Sequence, residues 1–135
     1  MATILVLFGF CWMVVAAIIG VLLAKRHETS VGQLEEIAAQ GNLAEYHRVN
    51  VGYKWNKTVH AHSFLFSVVA VCVGLAMARM NYSETLSNVL AIALMLSAVV
   101  WTLGGLRSNR PLMVIGDLTL LIGIVMAAVG LAKAL

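Results

Sequence analysis

Residues 1–24 read MATILVLFGFCWMVVAAIIGVLLA and contain no Asp, Glu, Lys or Arg side chain. Three later stretches have the same character: residues 58–78, 85–106 and 111–132, the last interrupted only by Asp117. A helix needs about 20 apolar residues to cross the hydrocarbon of a bilayer. The sequence therefore predicts four membrane-spanning α-helices, at about residues 2–24, 58–78, 85–106 and 111–132.

The composition of the whole chain agrees with these spans. Of its 135 residues, 61% are hydrophobic and only 11% are charged, and the mean hydropathy is +0.94. Soluble domains are about one quarter charged, and a chain this small leaves much of its surface exposed. We therefore expect a single domain embedded in a lipid bilayer. The first segment has no basic residue before it and is followed by Lys25 and Arg26, so we expect a retained helix rather than a cleaved signal peptide.

Residues 25–57 form the only long polar segment. Ser30–Gln33 resembles a capping box, and the apolar residues that follow it fall on one helical face. Gly41 is expected to end this helix, and Asn42 to cap a further turn. The predicted fold is thus an all-α integral membrane four-helix bundle, with a short amphipathic interfacial helix between helices 1 and 2.

The distribution of Lys and Arg predicts the orientation. Seven of these residues fall in residues 25–57 and 107–110, and two fall on the opposite side. Because cytoplasmic loops carry the excess of Lys and Arg, both segments are expected in the cytoplasm and both termini outside, in a cytoplasmic membrane. The net charge of +3 is accounted for by this asymmetry, so we expect no nucleic-acid partner.

Small residues recur at steps of three and four along the fourth segment. They are Gly116, Thr119, Gly123, Ala127, Gly130 and Ala134. Such a stripe lets two helix backbones approach closely, so it predicts helix packing within the bundle or between protomers. Cys11 and Cys72 lie inside predicted spans, where cysteine usually acts as a small apolar residue.

The chemical signal of the sequence is the segment Val59-His60-Ala61-His62 at the start of the second span. Ionisable residues within a membrane helix are functional candidates, and His60 and His62 are candidate ligands of a haem or a transition metal. Residues two apart on a helix differ by about 200°, so the two imidazoles are expected to serve different sites. Asp117 is predicted at a similar depth, as a partner that orients an imidazole or as part of a proton relay.

The V-H-x-H segment resembles the His-x-His helix of haem–copper oxidase catalytic subunits. It is also similar to a segment of small, mostly uncharacterised four-helix membrane proteins. The resemblance covers one helix and implies axial ligation of two different centres by His60 and His62. The further histidines and the helix number of an oxidase core are missing from this sequence.

Three functions are compatible with these features. The first is a small redox subunit that binds haem or a metal through His60 and His62 within a larger membrane complex. The second is a structural or accessory subunit without a cofactor, and the third is a proton or small-solute transport element. All involve the lipid bilayer, and other membrane subunits or self-association are expected. No nucleophile lies near a plausible base, so no catalytic residue is assigned and the chain is not expected to be an enzyme alone.

Overall fold

The protein is an all-α chain of four long helices, seen in a computed structural model that describes residues 1–134. The helices are α1 (Ala2–Ala39), α2 (Leu43–Ala76), α3 (Glu84–Leu106) and α4 (Arg110–Ala132). A short 3-10 turn, Met77–Arg79, follows α2. All four helices are long and apolar enough to cross a membrane. The all-α class with four such helices is therefore confirmed.

The helices pair as two antiparallel hairpins, α1 with α2 and α3 with α4, and α2 and α3 join the hairpins. The α1–α2 pairing keeps one register over its whole length: Gly74 lies against Val6, Gly9 against Val71, and Tyr53 beside His27. The largest fully buried side chains are Trp101 and Phe66, where α2 meets α3. The core therefore lies at the junction of the two hairpins.

A tight turn at residues 40–42 connects α1 to α2. Gly41 has φ +68°, the left-handed conformation that glycine adopts at no steric cost. Its N–H donates to the carbonyl of Ala38, and the N–H of Asn42 donates to that of Ile37, as in a Schellman motif. The Asn42 side chain then accepts from the backbone N–H of Glu45. The predictions that Gly41 ends one helix and that Asn42 caps the next are correct.

The expected separate helix between helices 1 and 2 does not exist. Residues 25–57 are divided between α1 and α2, and Ser30 lies inside α1 rather than at a helix start. Charged residues end a membrane span but not a helix, and Ala, Lys, Arg, Glu and Gln all favour helix. Leu34 and Ile37 are buried although they lie beyond the uncharged run, which shows that this end of the hairpin is packed. The two helices therefore continue through the polar segment.

The two hairpins differ in length. The 38 residues of α1 span about 57 Å at 1.5 Å per residue, whereas the hydrocarbon of a bilayer is about 30 Å thick. The 23 residues of α3 and of α4 span about 35 Å, close to that thickness. Residues 26–56, the helical extension, therefore begin level with the α3–α4 turn, where Trp55 lies near Gly105 and Ser108, and project past it.

Side-chain caps define the ends of the shorter hairpin. Ser83 accepts from the N–H of Leu86 at the start of α3, and Asn109 accepts from that of Leu112 at the start of α4. Pro111 lies in the first turn of α4, where its missing N–H costs no helical hydrogen bond. Two polar contacts join the hairpins. Ser63 Oγ lies 3.0 Å from Thr102 Oγ1, and Trp55 Nε1 donates to the Gly105 carbonyl over 3.0 Å.

The outward faces of the bundle are apolar. On α1 and α4, large aliphatic and aromatic side chains that are more than half exposed recur at helical spacing. They include Ile4, Leu7, Phe10, Val14, Ile18 and Val21 on α1, and Val114, Leu118, Leu121, Ile122 and Val125 on α4. This surface is compatible with an integral membrane protein.

Candidate functional site

His60 lies at the α1–α2 contact. Its Nδ1 is 2.9 Å from the Ala16 carbonyl oxygen, and its ring packs on Gly20, where a Cβ would come within 2.6 Å of the imidazole Cε1. A carbonyl oxygen only accepts hydrogen bonds, so Nδ1 of His60 carries the proton. Nε2 then holds the lone pair of the neutral ring.

His62 faces the other way, toward α3. Its Nδ1 donates to the Thr58 carbonyl oxygen over 3.1 Å, one turn back along α2. The ring stacks on Trp101, with the centroids 4.6 Å apart and the planes inclined by 9°. The two histidines thus contact different helices, and in both Nδ1 donates a hydrogen bond to a backbone carbonyl oxygen.

Asp117 lies on the outward face of α4. Its chain neighbour Gly116 is buried against Trp101, whereas Asp117 is exposed among Val114, Leu118 and Leu121. Within residues 1–134, its carboxylate has no hydrogen bond and no ion pair. No hydrogen bond in that part of the chain links Asp117 to His60 or His62, so the structure does not assemble the three residues into one site.

The described residues contain no group of three or more His, Cys, Asp or Glu side chains placed to hold a metal ion. Each candidate histidine therefore offers at most one ligand atom, Nε2, to a centre on its own side of α2. Cys11 and Cys72 are exposed free thiols, on α1 and α2 respectively.

The small residues of α4 lie at its contact with α3 and with the turn that precedes α3. Gly116, Gly123, Ala127 and Gly130 are all buried. A Cβ at Gly116 would lie 2.6 Å from Trp101 Cβ, and one at Gly123 would lie 2.6 Å from Leu94 Cδ2. The ring of Tyr82 covers Gly130, and its hydroxyl donates to the Met126 carbonyl. These four residues of the stripe therefore face protein within the bundle.

A cleft of about 250 Å³ lies between α1 and α2 where the uncharged run of α1 ends. Its polar lining comes from both helices: Arg26, His27 and Ser30 on α1, and Tyr53, Asn56, Lys57 and His60 on α2. The cleft was not expected from the sequence. The sequence placed the candidate site at His60 and His62, within the second span. The cleft lies at the end of that span and exists only because α1 and α2 stay paired through the polar segment.

The charges near this end of the hairpin are distributed unevenly. The one ion pair within residues 1–134 does not line the cleft: Arg48 donates to the carboxylate of Glu45 over 2.9 Å. That hydrogen bond holds the pKa of Glu45 below its usual value. No Asp or Glu lines the cleft, so Arg26 and Lys57 face it without a counter-charge.

No family model, curated protein or solved structure matches this chain.

Proposed function

We propose that the chain is an integral membrane protein that serves as an assembly subunit, holding a partner membrane protein against the outward face of α4. The observation that carries this proposal is the position of Asp117. It is an exposed carboxylate without a partner in residues 1–134, in the middle of an apolar helix face.

The depth of Asp117 makes its exposure costly in lipid. It follows Arg110, the first residue of α4, by seven residues, which corresponds to about 10 Å along the helix axis. Insertion of an Asp at the centre of a membrane helix costs about 2.5–3.5 kcal/mol, which is an upper bound for Asp117, about one third of the way along α4. The Asp side chain is shorter than those of Lys and Arg, which reach water from a similar depth. A partner helix that covers the carboxylate and donates a hydrogen bond to it removes this cost.

The chemistry of the partner follows from the charge. Asp117 is surrounded by Val114, Leu118 and Leu121, each more than half exposed. The complementary surface is an apolar membrane helix with one Lys, Arg or His at the matching depth. A second copy of this chain carries Lys and Arg only outside its four uncharged runs, and its His60 and His62 are half-buried against Gly20 and Trp101, so it presents no such cation on an outward face. We therefore assign the face to a different membrane subunit.

Site-specific photo-cross-linking in cells that naturally make the chain tests the assignment. A photoreactive residue at position 118 is expected to give one discrete adduct, and one at position 18, on the outward face of α1, is the matched control. The adduct from position 118 should disappear in Asp117→Leu and persist in Asp117→Glu. Equal adducts from both positions, an adduct of two copies of this chain, or an adduct unchanged in Asp117→Leu would reject the proposal.

The orientation in the membrane is proposed from the Lys and Arg asymmetry, with the helical extension in the cytoplasm and both termini outside. A cysteine at position 40 tests this, in a chain whose Cys11 and Cys72 have been replaced by Ala. Gln40 has ordinary helical angles, whereas Gly41 has a positive φ that strains any other residue. A membrane-impermeant maleimide should label Gln40→Cys only after the cytoplasmic side is opened. Labelling in intact cells would reverse the orientation.

A second candidate function is a redox role, favoured by the tautomers of the two histidines. Both use Nδ1 to donate to a carbonyl oxygen, which fixes the ring and leaves Nε2 as the ligand atom. Haem or a transition metal ion would supply electron transfer, with His60 and His62 each offering one ligand to a separate centre. Because each site has only one such ligand, a partner subunit would complete it.

This candidate is tested on the complex isolated from its native membrane, by absorption spectrum and by its iron, copper and zinc content. His60→Leu and His62→Leu should each remove a different spectral component. A native complex that contains neither haem nor metal would eliminate the redox role, and the Asp117 experiment would be unaffected.

A further inference from the structure

The cleft between α1 and α2 has the features of an anion site, and we propose that it binds the phosphate group of an anionic membrane lipid. This inference concerns the opposite hairpin from Asp117 and does not depend on a partner at α4. It requires only that the uncharged run of α1 lies in a bilayer.

The charge of the cleft selects an anion. Arg26 and Lys57 face it from opposite walls, and no carboxylate lines it. A guanidinium and an ammonium group are the donors that bind phosphate oxygens most strongly, and Ser30 and Asn56 add neutral donors. Both cations line one cleft without a carboxylate beside them, so an anion held between them is stabilised.

The walls of the cleft are held in place before any ligand arrives. Lys57 Nζ lies 4.2 Å from the centroid of the Tyr53 ring, a cation–π contact. A hydrogen bond joins the hydroxyl of Tyr53 to Nδ1 of His27 across the two helices. His60 is anchored to the Ala16 carbonyl in the same cleft. These contacts reduce the conformational entropy that the side chains lose when a ligand binds.

The position of the cleft selects a lipid rather than a soluble phosphate compound. It begins at Leu23 and Ala24, the last residues of the uncharged run, which places it at the level of the headgroups. Leu22 lies one helical turn before Arg26, and it ends an apolar groove of about 290 Å³ on the outer face of α1. The groove is lined by Val14, Ala17, Ile18, Val21 and Leu22. A phosphate held by Arg26 would leave an acyl chain to follow this groove.

Native mass spectrometry of the full chain in detergent tests the proposal, with phosphatidylglycerol and phosphatidylcholine as probes. The cleft variant is Arg26→Gln with Lys57→Gln. The matched control is Lys25→Gln with Lys54→Gln, which removes the same charge from the same two helices at positions that do not line the cleft. Wild type should bind phosphatidylglycerol at least about tenfold more tightly than phosphatidylcholine, because both lipids carry the phosphate but only phosphatidylcholine brings a quaternary ammonium group, which Arg26 and Lys57 repel.

The cleft variant should lose this preference, with a Kd for phosphatidylglycerol raised about tenfold or more, while the control changes it less than about twofold. Thermal unfolding of both variants checks that the hairpin remains folded. If the cleft variant is unstable, Arg26→Lys is compared with wild type instead; it keeps the positive charge and should retain most of the affinity for phosphatidylglycerol. Equal losses in the two variants would mean attraction by net charge alone and would overturn the site. Complete displacement of phosphatidylglycerol by millimolar glycerol 3-phosphate would overturn the assignment to a lipid.

Discussion

Two regions of the molecule hold their helices together by opposite means: the α3–α4 hairpin and the helical extension of α1–α2. In α3–α4 the backbones approach closely, since Gly116 and Gly123 face the side chains of α3 directly. In the helical extension of α1–α2 the glycines are free, and a Cβ at Gly32 or Gly52 would meet nothing within 4 Å. There the contact is made by a few apolar residues, such as Leu34 and Ile37, and by polar groups between the helices. The tightly packed region leaves no room between its helices, whereas the cleft lies where the looser extension begins.

The largest expected effect comes from placing the same substitution in both hairpins. Gly116→Ala puts a Cβ 2.6 Å from Trp101 Cβ and 3.1 Å from the Ser97 carbonyl oxygen, which only backbone movement can relieve. We expect the free energy of unfolding to fall by about 3 kcal/mol, the upper end of the usual range for overpacking. Gly32→Ala should instead stabilise by about 0.5–1 kcal/mol, because it only improves helix propensity.

Unfolding of both variants in mixed micelles, by titration with sodium dodecyl sulfate, measures the difference. Gly123→Ala should fall between them, because its nearest neighbour is the flexible end of Leu94. Equal stabilities of Gly116→Ala and Gly32→Ala would mean that the hairpins are packed alike.

An intermediate effect is expected at the contact between the hairpins. Thr102→Val keeps the shape of the side chain but removes the 3.0 Å hydrogen bond to Ser63 Oγ. Interhelical hydrogen bonds in membranes contribute about 0.6–1.7 kcal/mol, and a loss in this range is expected in the same titration. Ser97→Ala is the control, because Ser97 bonds only to the Leu94 carbonyl of its own helix. If Ser97→Ala is as costly as Thr102→Val, the Ser63–Thr102 contact does not join the hairpins.

The smallest effect is expected at the end of the helical extension. Arg48→Gln removes the ion pair with Glu45, and the pKa of that carboxyl should rise toward its ordinary value. A lowered carboxyl pKa stabilises above the pKa of the unfolded chain, and this stabilisation is lost as the pH falls through the folded pKa. Both groups are exposed to solvent, so no measurable change in Tm is expected at neutral pH. A clear drop in Tm that salt does not reduce would show that the Arg48–Glu45 pair contributes more to the stability of the fold than its exposure implies.

Local patterns in the sequence accounted for much of the architecture. The absence of charge over four stretches predicted the number of helices, because each stretch matches the thickness of a bilayer. Gly41 and Asn42 predicted the α1–α2 turn, since helix capping depends on residues close in the chain. The spacing of His60 and His62 predicted that they face different neighbours, which the contacts with Gly20 and Trp101 now identify.

Where the helices end and what lies between them depended on the tertiary structure. Charge in residues 25–57 ended the first predicted span, but the helix continues there because α1 and α2 pack on one another beyond it. The exposure of Asp117 depended on which face of α4 turns toward α3, and the cleft at Arg26 and Lys57 depended on residues about 30 positions apart meeting across the hairpin. Composition and capping are local properties that a sequence records directly. Register and rotation result from packing over the whole length of two helices, and no single residue determines them.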